Sequence, residues 1–201
     1  MALVHPYCTV EQVRAELSDD EANLSTPLIE KAVNAASRAV DRWCGRRFWL
    51  DETPVARVYR PTESDWVPVH DIGSTDGLVV KTDTAGAGTW ATTWDTTDYA
   101  LGPDNADADG GAYAWWEIRA YGQTFITGSS RPSLQVTARW GWSEVPDQVV
   151  EATLLRAVAL FKRKETPYGV AEFGEFGPVR ITRADPDVVD LLSPFRKVVL
   201  A

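Results

Sequence analysis

Between Ser25 and Phe48 apolar residues return every three or four positions, the period of an α-helix at about 100° per residue. Leu28, Ile29, Ala32, Val33, Ala35, Ala36, Ala39, Val40 and Trp43 fall on one face. Glu30, Lys31, Asn34, Ser37, Arg38, Asp41 and Arg42 fall on the other. Thr26 is placed to cap the start, Pro27 suits a first turn that needs no N–H, and Gly45 is the natural stop. The alanines admit a close neighbour, so this helix requires partners.

Upstream, Thr9-Val10-Glu11-Gln12 fits a capping box, and Val10, Val13 and Leu17 line one face of a short helix. Asp19-Asp20-Glu21 reads as an acidic connector. After Phe48 the period shortens. Val55–Arg60, Trp66–Val69, Leu78–Thr82, Tyr99–Leu101, Trp115–Ala120 and Leu134–Trp140 alternate and are rich in aromatic and β-branched residues. Turn signals such as Gly73-Ser74, Asp76-Gly77 and Gly128-Ser129 separate them, which predicts an antiparallel sandwich or barrel-like unit.

Past Pro146 the helical period returns: Val149, Val150, Leu154, Ala157, Val158, Leu160 and Phe161 form a broad apolar arc. Such an arc predicts contact on two sides, with the other helices and with a neighbouring subunit. Tyr168–Arg183 reads as a glycine-punctuated loop or ribbon. Asp185-Pro186-Asp187 has the form of a helix start, and Pro194 ends that helix. The order predicts an α+β fold: a helical bundle of about four helices (residues 1–49 plus 141–201) with an inserted antiparallel β-lobe (residues 50–140).

The totals narrow the functional classes. A chain of 201 residues, 44% hydrophobic and 24% charged, has an ordinary globular composition. Its net charge of −9 repels nucleic acid and anionic membranes, which disfavours an electrostatic grip on DNA. Cys8 and Cys44 lack metal or redox spacing and read as buried free thiols. The N-terminus lacks the pattern of a signal peptide, and no apolar run approaches the ~20 residues of a membrane span. A cytoplasm-like compartment is expected.

Ala36–Phe48 (A-S-R-A-V-D-R-W-C-G-R-R-F), Asp98–Pro103 (D-Y-A-L-G-P), Arg139–Pro146 (R-W-G-W-S-E-V-P), Leu160–Arg163 (L-F-K-R) and Leu191–Arg196 (L-L-S-P-F-R) together resemble the head–tail connector, or adaptor, proteins of tailed double-stranded DNA phages, more narrowly the gp6-like connector family. The resemblance implies a homo-oligomeric ring, nominally twelve-fold, beneath the portal protein. It would extend the DNA channel, pass double-stranded DNA without binding it specifically, and receive a stopper or tail-completion protein. It implies location in the virion neck, host cytoplasm during assembly, and no membrane. The smallest family members are mostly helical, and this chain departs from them in its large β-insert.

No catalytic constellation emerges. His5 and His70 lack a recognisable Ser or Cys partner, and no glycine-rich segment carries the Lys and Ser/Thr of a phosphate loop. The chain therefore reads as non-enzymatic, without a cofactor. Asn105–Gly110 resembles the first half of a calcium loop, but Trp116 stands where the bidentate Glu should be, so it reads as an acidic turn and no metal is expected. Trp66, Trp90, Trp94, Trp115 and Trp116 admit a carbohydrate-binding module, against core or inter-subunit packing. Arg46 and Arg47 are candidate inter-subunit partners of Asp19 and Asp20, or a solvated helix end. The tail Phe195, Arg196, Lys197, Val198, Val199, Leu200 is the candidate portal-docking segment, with a frayed terminus as the alternative.

Overall fold

The computed structural model describes residues 3–17, 25–108, 112–162, 170–171, 179–180 and 185–197. In chain order these form α1 (Val10–Ala15), α2 (Thr26–Cys44), β1 (Val55–Tyr59), β2 (Trp66–Thr82), β3 (Thr92–Thr93), β4 (Tyr99–Gly102), β5 (Trp115–Ala120), β6 (Leu134–Trp140), α3 (Asp147–Lys162), β7 (Val170–Ala171), β8 (Val179–Arg180) and α4 (Pro186–Leu192), followed by a 3-10 turn at Ser193–Phe195. The chain divides into two compact units, residues 48–144 and residues 1–47 with 145–201.

The expected helical bundle with an inserted lobe is corrected. The dominant architecture is a six-stranded antiparallel sheet, ordered β1-β6-β2-β5-β4 with β3 also paired to β2. Among the described residues the helices are short: α1 has six residues and α4 seven, too few to run the length of a bundle, and only α2 and α3 exceed two turns. The error has a local cause. Trp66–Val69 and Leu78–Thr82 read as separate strands, yet both lie in the 17-residue β2. Gly73-Ser74 and Asp76-Gly77 do not turn the chain back. They mark irregularities where β2 passes from pairing with β5 to pairing with β6. A Cβ at Gly73 would come within 2.8 Å of the Gly141 carbonyl, so a glycine there permits close approach rather than a turn.

The sheet unit is filled from alternating positions. Leu134, Val136, Ala138 and Trp140 are buried along β6, while Gln135, Thr137 and Arg139 are half-buried on the other face. Val67, Val69, Ile72, Val80 and Ile118 join them. Trp140 is fully buried; its indole N–H donates to the Val55 carbonyl at 2.6 Å and the Arg57 guanidinium lies 4.6 Å from its ring centre. Trp94 stacks on Phe125 at 4.8 Å and satisfies its N–H on Thr82 Oγ1.

In the helical unit α2 packs against α3, α3 against α4, and α1 against both long helices. The capping box of α1 is formed: Gln12 N–H donates to Thr9 Oγ1 and Thr9 N–H to Gln12 Oε1. The α2 N-cap is Ser25 rather than Thr26, and Gly45 ends the helix at φ +64° with its N–H on the Asp41 carbonyl. The buried seam of α2 is Ile29, Ala32, Val33, Ala36, Ser37, Val40 and Cys44. Leu28, Ala35 and Trp43, expected inside, are exposed, and Ser37, expected outside, is fully buried.

The N-terminal strap explains that rotation. Tyr7 N–H donates to Ser37 Oγ at 3.1 Å, the Tyr7 hydroxyl donates to Asp41, Arg38 reaches the His5 carbonyl at 3.0 Å, and Val4 N–H donates to Asn34 Oδ1. A polar helix face can be buried when every group on it finds a partner. Among the described residues no helix is long and apolar enough to cross a membrane.

Candidate interaction surface

The C-terminal end of α2 gathers most of the described candidate residues. α4 is capped by Asp185, whose side chain accepts from Asp187 N–H, and Val188 and Leu192 are its buried residues. The 3-10 turn then carries the chain back to α2. Lys197 N–H donates to the Cys44 carbonyl at 2.8 Å, one of the carbonyls that a helix end leaves without an internal partner. The Arg196 guanidinium lies 5.6 Å from the centre of the Trp43 ring. A Cβ at Gly45 would lie 3.7 Å from Lys197 Cβ. Lys197 is thus tied to the end of α2.

This arrangement brings Arg196 and Lys197 to the helix end that carries Arg42, Arg46 and Arg47. Cations there suit the negative end of the helix dipole. Beside them Val40, Trp43, Arg156, Asp185, Val188 and Leu192 contribute to a small cavity of about 110 Å³. Phe195 is half-buried and Trp43 is 42% exposed, so the surface mixes apolar and cationic groups. Asp19, Asp20, Val198, Val199 and Leu200 lie outside the described residues.

Burial governs the titratable groups near this end. It pushes the Cys44 thiol up to about 11, with Arg46 pulling it down and Asp41 pushing it up, and burial does the same to Cys8. Both are free, buried thiols. Asp41 is raised above the usual carboxylate value by burial, against the Tyr7 hydrogen bond and the charges of Arg38, Arg47 and Arg42. Arg38 Nε pairs with Asp41 Oδ2 at 2.9 Å, which fixes this carboxylate to its own helix.

The tryptophans do not form one platform. Trp94 is core, Trp90, Trp115 and Trp116 are half-buried, and Trp66 is 40% exposed. Trp66 instead borders a hollow of about 410 Å³ with Asp65, Glu117, Arg119 and Tyr121. Arg119 is held there by Glu117 at 2.5 Å and Asp104 at 3.4 Å. His70 accepts from or donates to the Tyr59 hydroxyl through Nδ1 at 2.9 Å, and burial pushes the Tyr59 hydroxyl up to about 12. Asn105–Ala108 closes as a turn, Ala108 N–H to Asn105 O, while Asp109 and Gly110 lie outside the described residues. Among the described residues no group of three His, Cys, Asp or Glu side chains is placed to hold a metal.

The fold is shared with chains of gene transfer agent particles. A chain in the neck of an empty gene transfer agent (GTA) particle, computed with C6 symmetry, matches with a TM-score of 0.58 at 17% identity, covering 100% of this chain and 95% of that one. A chain in the virion of a native GTA particle matches at 0.56 and 16% identity, covering 100% and 95%. A chain in the neck of the native GTA particle, computed with C12 symmetry, matches at 0.54 and 17% identity, covering 100% and 94%. No family profile matches this sequence, and no curated protein matches it as a relative. The comparisons do not confirm the gp6-like family; they show the fold that this chain shares with those particle chains.

Proposed function

We propose that this chain is a structural, non-enzymatic subunit of the neck of a phage-like virion. It assembles as a homo-oligomeric ring, nominally twelve-fold, between the portal protein and a stopper or tail-completion protein. The ring extends the DNA channel and passes double-stranded DNA without binding it specifically. The observation that carries this reading is the match over the whole chain to chains of particle necks computed with C6 and C12 symmetry. The acidic balance suits a channel component, because a chain of net charge −9 does not attract phosphates.

The hydrogen bond of Lys197 to α2 gives the portal-docking proposal a defined starting point. Lys197 is tied to α2, and Val-Val-Leu-Ala continues beyond it. An apolar segment leaving a fixed anchor binds with less ordering cost than one leaving a mobile terminus. Native mass measurement with and without portal protein tests the ring: a closed species of uniform copy number is expected, and a monomer under both conditions overturns the reading. Deleting Val198–Ala201 keeps the Lys197 cap and should abolish portal capture; capture that survives places the docking surface elsewhere.

A further inference from the structure

The net charge is placed unevenly. Residues 48–144 hold 14 acidic and 6 basic side chains, a net of −8, and the remaining residues hold 15 and 14, a net of −1. In the helical unit the cations concentrate at the end of α2, where Arg42, Arg46 and Arg47 meet Arg196 and Lys197. The sheet unit presents the complement. Its hollow beside Trp66 carries Asp65 and Glu117, with Asp104 on the same arginine, and two exposed rings: Trp66 at 40% and Tyr121 at 68%. Arg119 is the cation there, and Glu117 and Asp104 both pair with it.

We infer that the hollow beside Trp66 receives the cationic end of α2 from a second copy of this chain. The inference rests on the ring reading and supplies its subunit contact. Exposed aromatic faces attract guanidinium and ammonium groups, and carboxylates beside them add charge attraction. Trp, Tyr and Arg are also the residues that dominate interface energetics. A head-to-tail contact joins these unlike surfaces once per pair of neighbours, and repeated head-to-tail contacts close into rings, whereas a two-fold contact joins them reciprocally and stops at a dimer. The ladder expected of the double variant below separates the two. The same acidic surface repels nucleic acid, which removes phosphates as its occupant.

Disulfide trapping on the full chain tests this. Cys8 and Cys44 are buried, with thiols pushed up to about 11, and leave a quiet background. Arg46→Cys and Asp65→Cys chains, mixed and oxidised where the wild type oligomerises, should give a covalent dimer containing one of each. Each alone should give none, and the double variant a ladder. In parallel, Asp65→Lys with Asp104→Lys should weaken self-association about ten-fold, and adding Arg46→Glu with Arg47→Glu should recover most of the loss. An oligomeric wild type whose mixed variants do not cross-link, or which tolerates the lysines, overturns the inference and leaves the ring standing. A glycan that binds the wild type and not Trp66→Ala, in such an oligomer, assigns the hollow to sugar instead. A wild type that stays monomeric with and without portal overturns both.

Discussion

Small residues line the seam of α2 in the helical unit, whereas large rings anchor the core of the sheet unit. Along α2 the seam is built on Ala32, Ala36 and Cys44 between Ile29, Val33 and Val40, and it lets backbones approach. In the sheet unit Trp140, Trp94 and Phe125 occupy the same role, and each indole N–H has found an acceptor. Charge divides the same way: the helical unit is near neutral, and almost the whole net charge sits on the sheet unit. A core of large rings tolerates an acidic exterior because each ring contributes a large buried area. A seam of small side chains such as that of α2 gains less per residue and leans on caps and on the strap from Leu3 to Cys8.

The sharpest way to break this contrast is to remove one anchor from each side. Trp140→Ala should cost about 3–5 kcal/mol and Ile29→Ala about 2–5 kcal/mol, read from urea midpoints. If the units unfold separately, tryptophan fluorescence should follow the first substitution and far-ultraviolet helix signal the second. A single shared transition in both variants would show that the two cores are one cooperative system.

Gly141 comes next. It sits at φ +114°, and a Cβ there would collide with the Trp49 carbonyl, which is backbone and cannot swing aside. Gly141→Ala should destabilise the sheet unit by roughly 3 kcal/mol, measured in the same titrations. A cost below 0.5 kcal/mol would mean that this junction yields easily. A smaller effect is expected at the α1 cap. Thr9→Ala removes the side-chain half of the capping box and should cost ~1 kcal/mol, with Thr9→Ser recovering most of it.

The smallest predicted effect is a pH slope. Burial raises Asp41, so the native state binds its proton more tightly than the unfolded chain does. That contribution is complete below the unfolded value of about 4 and is lost as pH rises through the higher folded value. Asp41→Asn should flatten the decline in stability between about pH 4 and neutrality, seen as midpoints that vary less than those of the wild type. A parallel pH profile for the two proteins would show that the Tyr7 and Arg38 contacts offset burial in full.

How much of this was legible depended on the range of the interaction. The strands β5 and β6 were readable to the residue, β6 because alternation is a local pattern that one buried face enforces, and β5 from its aromatic and β-branched residues between turn signals. The α1 capping box and the Gly45 stop were readable for the same reason. β2 was not, since Gly73 and Gly77 carry the same signal in a turn as in a strand that bends and changes partner. Nor was the rotation of α2. Its pattern could not show that Tyr7 would cover Ser37 and Asp41, because the strap is about 30 residues distant in sequence.

The candidate surface divides along the same line. Arg46, Arg47, Phe195, Arg196 and Lys197 stood out as cations and apolar residues near ends of elements. Their meeting at one end of α2 comes with the Lys197–Cys44 hydrogen bond and the approach of Arg196 to the Trp43 ring, which no spacing encodes.

The sequence by itself determined where helical and extended periods lie, the net charge, and the absence of a recognisable catalytic constellation. Tertiary structure alone decided that the sheet outweighs the helices, which face of α2 is buried, and which charges become neighbours. The physical reason is that periodicity reports the preference of a segment for a buried face, whereas burial and pairing are settled by whatever other segment arrives to cover it.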